Sequence, residues 1–264
     1  MSRYASCPAD RNKIYWLEQS HSDLPTDNKW LTSDELETFS ALRFPKRRED
    51  WRLGRWAAKS CISAYAKMSG VPLDLSRIEI RAQPSGAPIG VLLDRGTRLS
   101  ISLTHRAGKA MCSFAPSGTS VGCDLELIEN RSREFLSDYF TQEEQFLVEC
   151  TATQERALVL NMLWSAKEST LKAMYLGLRV DTRSVGVRRL SHKDDAWLDS
   201  PPINLSKVTK SIHDQTWQRV LVTVADEPDF HGWWSASDAF VRTIVLRSVD
   251  SCTKARDSAL EAVG

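Results

Sequence analysis

The chain of 264 residues contains no stretch approaching 18 consecutive apolar residues, and no apolar run near its N-terminus of the signal-peptide kind. The expectation is a cytoplasmic protein with no membrane partner. Net charge is also nearly missing. Lys plus Arg number 35 against 34 Asp plus Glu, which leaves +1. Bulk attraction to nucleic acid or lipid is therefore not expected, and charged partners must be met by local patches. The six cysteines lie apart, without a C-x-x-C pair or a nearby pair of histidines, so neither a zinc site nor a disulfide framework is indicated. No internal repeat and no low-complexity linker is visible in the letters. What remains is a chain with 42% hydrophobic residues, enough for one large domain or two small ones.

The stretch Ser120-Val-Gly-Cys-Asp-Leu-Glu-Leu-Ile128 organises the rest. Val121, Cys123, Leu125 and Leu127 alternate with Gly122, Asp124, Glu126 and Ile128, the period of a β-strand whose apolar set is buried. Asp124 and Glu126 then project from the opposite face, with Cα atoms roughly 7 Å apart at a strand rise of about 3.3 Å per residue. Adjacent carboxylates repel unless a cation lies between them, and hard oxygen ligands suit Mg²⁺. A solvated face that happens to carry two acids is the alternative.

Ahead of this strand, Lys13 to Leu17 reads as a strand and Thr32-Ser-Asp-Glu35 as a helix start. Residues 46–69 form a helix with Leu53, Ala57, Cys61, Ala64 and Met68 on one side and Arg48, Arg52, Arg55 and Lys59 on the other. That second stripe is basic throughout, which favours an anion-binding face, with an ordinary solvated face as the alternative. Strands are expected over residues 76–81, 98–104 and 110–114, with His105 at a strand end and Gly118 turning into the acidic strand, so that the last three strands form an antiparallel meander. Thr141-Gln-Glu-Glu144 fits a capping box. Residues 154–176 form a long helix with Trp164, Glu168 and Lys172 on one face, closed by Gly177. Further strands are expected at 183–190, 217–224 and 238–247, with 191–216 a surface excursion and Trp233-Trp234 open between core and contact.

Val121-Gly-Cys-Asp-Leu-Glu126, Tyr139-Phe-Thr-Gln-Glu-Glu144 and Trp164-Ser-Ala-Lys-Glu-Ser-Thr-Leu-Lys172, in that order, resemble the 4′-phosphopantetheinyl transferases. The likeness is to the longer, monomeric type that acts on peptide and polyketide synthases. G-x-D-x-E and W-x-x-K-E-[SA]-x-x-K both match in full, and weaker matches run back to Arg43. Two departures stand out. Gly86-Ala87-Pro88 replaces a usual G-K-P, and Thr104-His105-Arg106 replaces S-H-S.

The resemblance implies an α+β (α/β) fold of two similar subdomains related by a pseudo-twofold, each a small, mainly antiparallel sheet packed on helices, divided near residue 130 into 1–130 and 131–264. It implies transfer of the 4′-phosphopantetheine arm from coenzyme A to a serine of an acyl or peptidyl carrier domain, with release of 3′,5′-ADP. Mg²⁺ would be held by Asp124, Glu126 and Glu168, and Lys172 would stabilise the leaving phosphate. Glu168 and a metal-bound hydroxide are both open as the base. Arg48, Arg52, Arg55 and His105 are candidates for the nucleotide phosphates, and Arg106 for the charge missing at Ala87. The carrier is expected to meet basic and apolar groups in the 142–150 segment. A Mg²⁺-dependent phosphohydrolase and a non-catalytic carrier-binding relative are the alternatives.

Overall fold

The computed structural model describes residues 13–115, 119–189, 201–208 and 216–247. Its first half runs β1 (Tyr15–Ser20), α1 (Ser33–Ala41), α2 (Pro45–Met68), β2 (Ile78–Ala82), β3 (Pro88–Leu92), β4 (Thr97–Arg106) and β5 (Lys109–Phe114). Its second runs β6 (Val121–Leu127), α3 (Arg133–Tyr139), α4 (Gln142–Cys150), α5 (Thr153–Ala173), β7 (Val185–Arg189), β8 (Ile203–Asn204), β9 (Gln218–Val224), β10 (Phe230–Ser237) and β11 (Phe240–Arg247). The sheets are ordered β2-β3-β4-β5-β1-β8 and β6-β11-β10-β9-β7. With β8 set aside, each half places its first strand beside its last and descends in order to its second, antiparallel throughout. This is the α+β architecture of two similar halves that the resemblance implied.

The duplication extends to single side chains. Thr32 caps α1 and Thr141 caps α4, each in a capping box with the glutamate three residues on. Glu35 also accepts the Ile80 amide of β2 at 3.0 Å and pairs with Lys59 of α2. Glu144 accepts the Val187 amide of β7 at 2.9 Å and pairs with Lys167 of α5 at 2.8 Å. Lys59 lies 5.5 Å over the Trp30 ring and Lys167 lies 5.4 Å over Phe140. Lys59 thus leaves the exposed basic stripe to which helical spacing assigned it. It is fully buried, because α1 covers that flank of α2 and supplies its carboxylate. The letters do contain a repeat after all. Trp56-Ala-Ala-Lys-Ser60 answers Trp164-Ser-Ala-Lys-Glu168, a match too short to stand out until the fold aligned it.

A second correction concerns β6. Strands β4 and β5 form the expected hairpin through Ala107 and Gly108, whose φ of 47° and 75° suit a two-residue turn. The meander stops there. Both edges of β5 are taken, by β4 and β1, so β6 crosses to the other sheet and pairs with β11. Gly118, expected at that turn, lies outside the described residues. Strands β3 and β10 were not anticipated. β10 carries Trp233 and Trp234, both 3% exposed, into the core. Within the expected 191–216 excursion, β8 returns to pair in parallel with β1 and Leu205 is fully buried, while 191–200 and 209–215 lie outside the described residues.

Each half has its own core, and a third cluster including Trp16, Met111, Val121, Trp233 and Ile244 joins them. Arg242 of β11 adds a bidentate pair with Glu18 of β1, at 2.6 and 3.0 Å. Helix α5 packs flat on β6, and Gly122 is what permits the approach. A Cβ there would stand 1.8 Å from the Ser169 carbonyl oxygen and 2.8 Å from the Ala173 amide. Gly122→Ala is therefore expected to destabilise the protein by about 2 kcal/mol or more, read from urea denaturation. A change below about 0.5 kcal/mol, within the range of a surface substitution, would show that α5 can retreat freely.

Candidate active site

The face of β6 that alternation left to solvent is covered by α5. Asp124 is only 4% exposed. Its Oδ1 accepts the Lys172 ammonium at 2.7 Å and the Thr104 hydroxyl at 3.0 Å, and its Oδ2 is buried without a hydrogen-bond partner among the described residues. Lys172 also donates to the Cys123 carbonyl at 3.2 Å. Burial by itself would lower the pKa of this lysine, but the surrounding acids, Asp124 foremost, hold it above its ordinary value.

Glu126 sits two residues along, where the Trp164 indole donates to one oxygen at 3.2 Å and Arg131 to the other at 3.1 Å. Arg106 approaches the same carboxylate at 3.6 Å and bonds Glu129 at 2.6 Å. Burial raises the Glu126 pKa, and Asp124 adds to it against the two arginines and Trp164. The third acid, Glu168, lies on α5 between Trp164 and Lys172. Burial pushes its carboxyl up to about 7, with Asp124 and Glu126 adding to the rise and Lys172 opposing it. In this conformation Asp124 is tied to Lys172 and Glu126 to Arg131. Among the described residues, no three Asp, Glu, His or Cys side chains stand close enough together to hold a metal ion.

Two cavities flank this centre and share Leu103 of β4. The larger, about 620 Å³, is lined by Phe44, Lys46, Arg47, Trp51, Arg55 and His105 among others. Of the four nucleotide candidates it thus receives Arg55 and His105. Arg55 lies 4.6 Å over the Trp51 ring, and the His105 ring, exposed within β4 rather than in a loop, is 4.0 Å from Asp50. Arg48 and Arg52 lie outside both linings. Arg48 stacks 4.1 Å from the Phe39 centroid and donates to the Leu42 carbonyl at 3.2 Å. Arg52 donates to the carbonyls of Pro25 and Asp27 at 2.7 and 3.2 Å. Arg106, committed to Glu129 and Glu126, lines neither cavity. Sequence reasoning missed Lys46 and Arg47, which share the first turn of α2 with Arg48. It also missed Thr104 and Arg131, for which no local pattern gives a signal. The 142–150 segment exposes Phe146 and Leu147 beside Tyr139, but α4 has no basic residue, so only the apolar part of that expectation stands.

The family model of the 4′-phosphopantetheinyl transferase superfamily matches residues 120–235, the stretch that opens on β6. A holo-[acyl-carrier-protein] synthase of Streptococcus agalactiae serotype III (strain NEM316) is 33% identical over 86 residues, 31% of this chain and 70% of that protein. The chain belongs to the 4′-phosphopantetheinyl transferase superfamily. Two more holo-[acyl-carrier-protein] synthases agree. That of Shouchella clausii (strain KSM-K16) is 40% identical over 77 residues, 28% of this chain, and the chain spans 64% of its length. That of Streptococcus mutans serotype c (strain ATCC 700610 / UA159) is 38% identical over 79 residues, 30% of this chain and 65% of that protein. The family model thus rests on the second half, the copy that holds Glu168 and Lys172. In the first half the corresponding positions of α2 are Ser60 and Ala64, so the repeat supplies a second scaffold but not a second set of reactive groups.

The raised Glu168 pKa has a consequence for stability. The folded protein keeps this proton up to about pH 7, whereas the ordinary value is 4.5. Between those values the folded state binds the extra proton, so its stability falls as pH rises and the loss is complete above about 7. Without divalent cations, the stability of the wild type relative to Glu168→Gln should decline from pH 4.5 to 7 and then level off. Urea denaturation across that range measures it, and a flat difference would refute the shift.

Proposed function

We propose that this protein transfers the 4′-phosphopantetheine arm of coenzyme A to a serine of a carrier protein, with Mg²⁺ bound by Asp124, Glu126 and Glu168. The observation that carries the reading is the Lys172–Asp124 pair at 2.7 Å, with the half-buried carboxylates of Glu126 and Glu168 acting on it or on each other, and Lys172 lining the smaller cavity. The donor set suits the cation. Its ligands would be hard carboxylate oxygens, Asp124 Oδ2 is buried and unpartnered among the described residues, and burial raises the pKa of Glu126 and Glu168, with Asp124 adding to the first and Asp124 and Glu126 to the second. When bound, Mg²⁺ would neutralise the diphosphate of coenzyme A and hold it for in-line attack.

The remaining work falls to the chain itself. Lys172 is kept protonated by Asp124, so a compact positive charge is ready for the leaving 3′,5′-ADP phosphate. Arg131 and Trp164 hold Glu126 from both of its oxygens. Glu168 stands beside the reacting centre as one candidate for the base that takes the serine proton, but its pKa of about 7 belongs to the cation-free protein, and a bound cation would lower it by favouring the charged carboxylate. The larger cavity, with aromatic walls and Lys46, Arg47, Arg55 and His105, suits a nucleotide. The carrier would approach over α3 and α4, where Tyr139, Phe146 and Leu147 are exposed and would make an apolar contact. Both halves of the cleft come from one chain, so a monomer would contain the whole site.

The test is mass spectrometry of apo-carrier proteins, including peptide- and polyketide-synthase domains, incubated with coenzyme A and Mg²⁺. One phosphopantetheine arm added to the carrier serine supports the reading. Coenzyme A breakdown that needs no carrier would point to a phosphohydrolase instead.

A further inference from the structure

Strand β4 belongs to the first half and β6 to the second, in different sheets, yet side chains join them. Ser102, Thr104 and Arg106 alternate along β4 and so share a face. Ile101 and Leu103, on the other face, pack on the core of the first half. The Ser102 hydroxyl accepts the Cys123 amide at 2.9 Å, and its carbonyl accepts the Cys123 thiol at 3.3 Å. The Thr104 hydroxyl donates to Asp124 Oδ1 at 3.0 Å, and Arg106 donates to Glu129 at 2.6 Å. Through this face, the half without reactive groups of its own reaches the half that has them.

The Thr104 bond differs from its neighbours in where it ends. Asp124 Oδ1 takes two donors, one from each half. Lys172 reaches it from the last turn of α5, a helix that ends at Ala173 and not at Gly177 as its sequence suggests. The four-carbon stem of a lysine is flexible and can follow a carboxylate as it turns. Thr104 cannot. It is branched at Cβ, with few side-chain rotamers, it is 8% exposed, and its strand is held between β3 and β5. The lysine therefore supplies charge, and the threonine fixes the direction of the carboxylate. With Oδ1 fixed, Oδ2 keeps one orientation, and it is the oxygen without a hydrogen-bond partner among the described residues.

We propose that Thr104 is a positioning residue, which holds Asp124 so that Oδ2 is presented to the cation. The inference rests on the reading of Asp124 as a Mg²⁺ ligand. Carboxylates that bind metals are themselves held by hydrogen bonds, and losing such a partner costs about 10–100-fold in metal affinity or activity. A ligand oxygen set in advance also spares the cation the cost of ordering it.

Titration calorimetry of the full chain with Mg²⁺ tests this. Thr104→Val keeps the branched shape and removes the donor, and is expected to raise the Kd of Mg²⁺ by at least about tenfold. Thr104→Ser and Thr104→Ala both lose the methyl group and differ only in the hydroxyl, so their comparison stands even if Thr104→Val fails to fold. The serine variant should bind Mg²⁺ nearly as the wild type does, and the alanine variant should lose affinity as the valine variant does. Equal losses in the two would overturn the proposal, since packing and not the hydroxyl would then be at work. A second titration, with 3′,5′-ADP in the absence of Mg²⁺, should give the same Kd for wild type and variants. Weaker nucleotide binding with an unaltered Kd of Mg²⁺ would overturn the proposal and make Thr104 a contact of the larger cavity, which it lines. So would a lower Tm in the valine and alanine variants with Mg²⁺ binding intact, which would leave the bond a structural one. Wild-type protein that binds no Mg²⁺ would sink the metal site and this inference together, whereas wild-type affinity in Thr104→Val overturns the inference alone.

Discussion

Asp124→Asn is expected to lower transfer to an apo-carrier by at least about a hundredfold at saturating coenzyme A and Mg²⁺, the usual cost of removing one electrostatic group aimed at the reacting centre. Asparagine keeps the volume and can still accept the Thr104 hydroxyl, which donates to Asp124 at 3.0 Å. It removes the negative charge and offers the cation only a carbonyl oxygen. Lys172 keeps the Cys123 carbonyl and the nearby Glu168, so the variant should fold. Repulsion between neighbouring acids is only part of the balance here, because Lys172 already neutralises Asp124. The second readout is independent of turnover. Mg²⁺ should raise the Tm of the wild type, as any ligand of the folded state does, and should fail to do so for Asp124→Asn. Transfer within about tenfold of wild type, or an undiminished Mg²⁺-dependent rise in Tm, would remove Asp124 from the metal site.

The second large effect is on stability and lies away from the chemistry. Glu144→Ala should destabilise the protein by about 3–5 kcal/mol, because it leaves the Lys167 ammonium buried without its carboxylate. The same glutamate accepts the amides of Val187 and Thr141, both at 2.9 Å, so the β7 edge and the start of α4 loosen with it. Glu35→Ala should do the same in the first half, where Lys59, Ile80 and Thr32 hold the equivalent positions. Burial lowers the pKa of both lysines against the pull of their glutamates, so the alanine variants should regain some stability at high pH as the ammonium gives up its proton. Changing the partner as well, as in Glu144→Leu with Lys167→Met, should restore much of the loss, since a buried pair is often replaceable by apolar groups of similar size. Denaturant unfolding of the single and double variants measures this. Costs below about 1 kcal/mol for the single variants would mean that water reaches the lysines.

Local order along the chain was sufficient to place much of this. The period of two in Val121–Leu127, the capping boxes at Thr32 and Thr141, and the helical spacing of Trp164, Glu168 and Lys172 each depend on neighbours within a few residues, and each is found where expected. The order of the motifs carried the family for the same reason: residues fixed on one strand and one helix keep their spacing in the letters. What depends on contacts between distant segments was not legible. Spacing puts Lys59 on the side opposite Leu53, but only the packing of α1 buries it against Glu35. Alternation separates Asp124 from Cys123, yet it cannot show that α5 covers the Asp124 face or that Gly122 admits it. The switch of β6 to the second sheet follows from both edges of β5 being occupied, a property of the assembled sheet. Arg131 and Thr104 reach their places by long-range folding, with nothing in their own neighbourhoods to mark them. The sequence by itself determined which reactive groups exist and on which elements they ride. Only tertiary structure decided which charges are paired and buried and which still face a cavity, because burial and ion pairing are set by whatever packs against a side chain, however far away in the chain it lies.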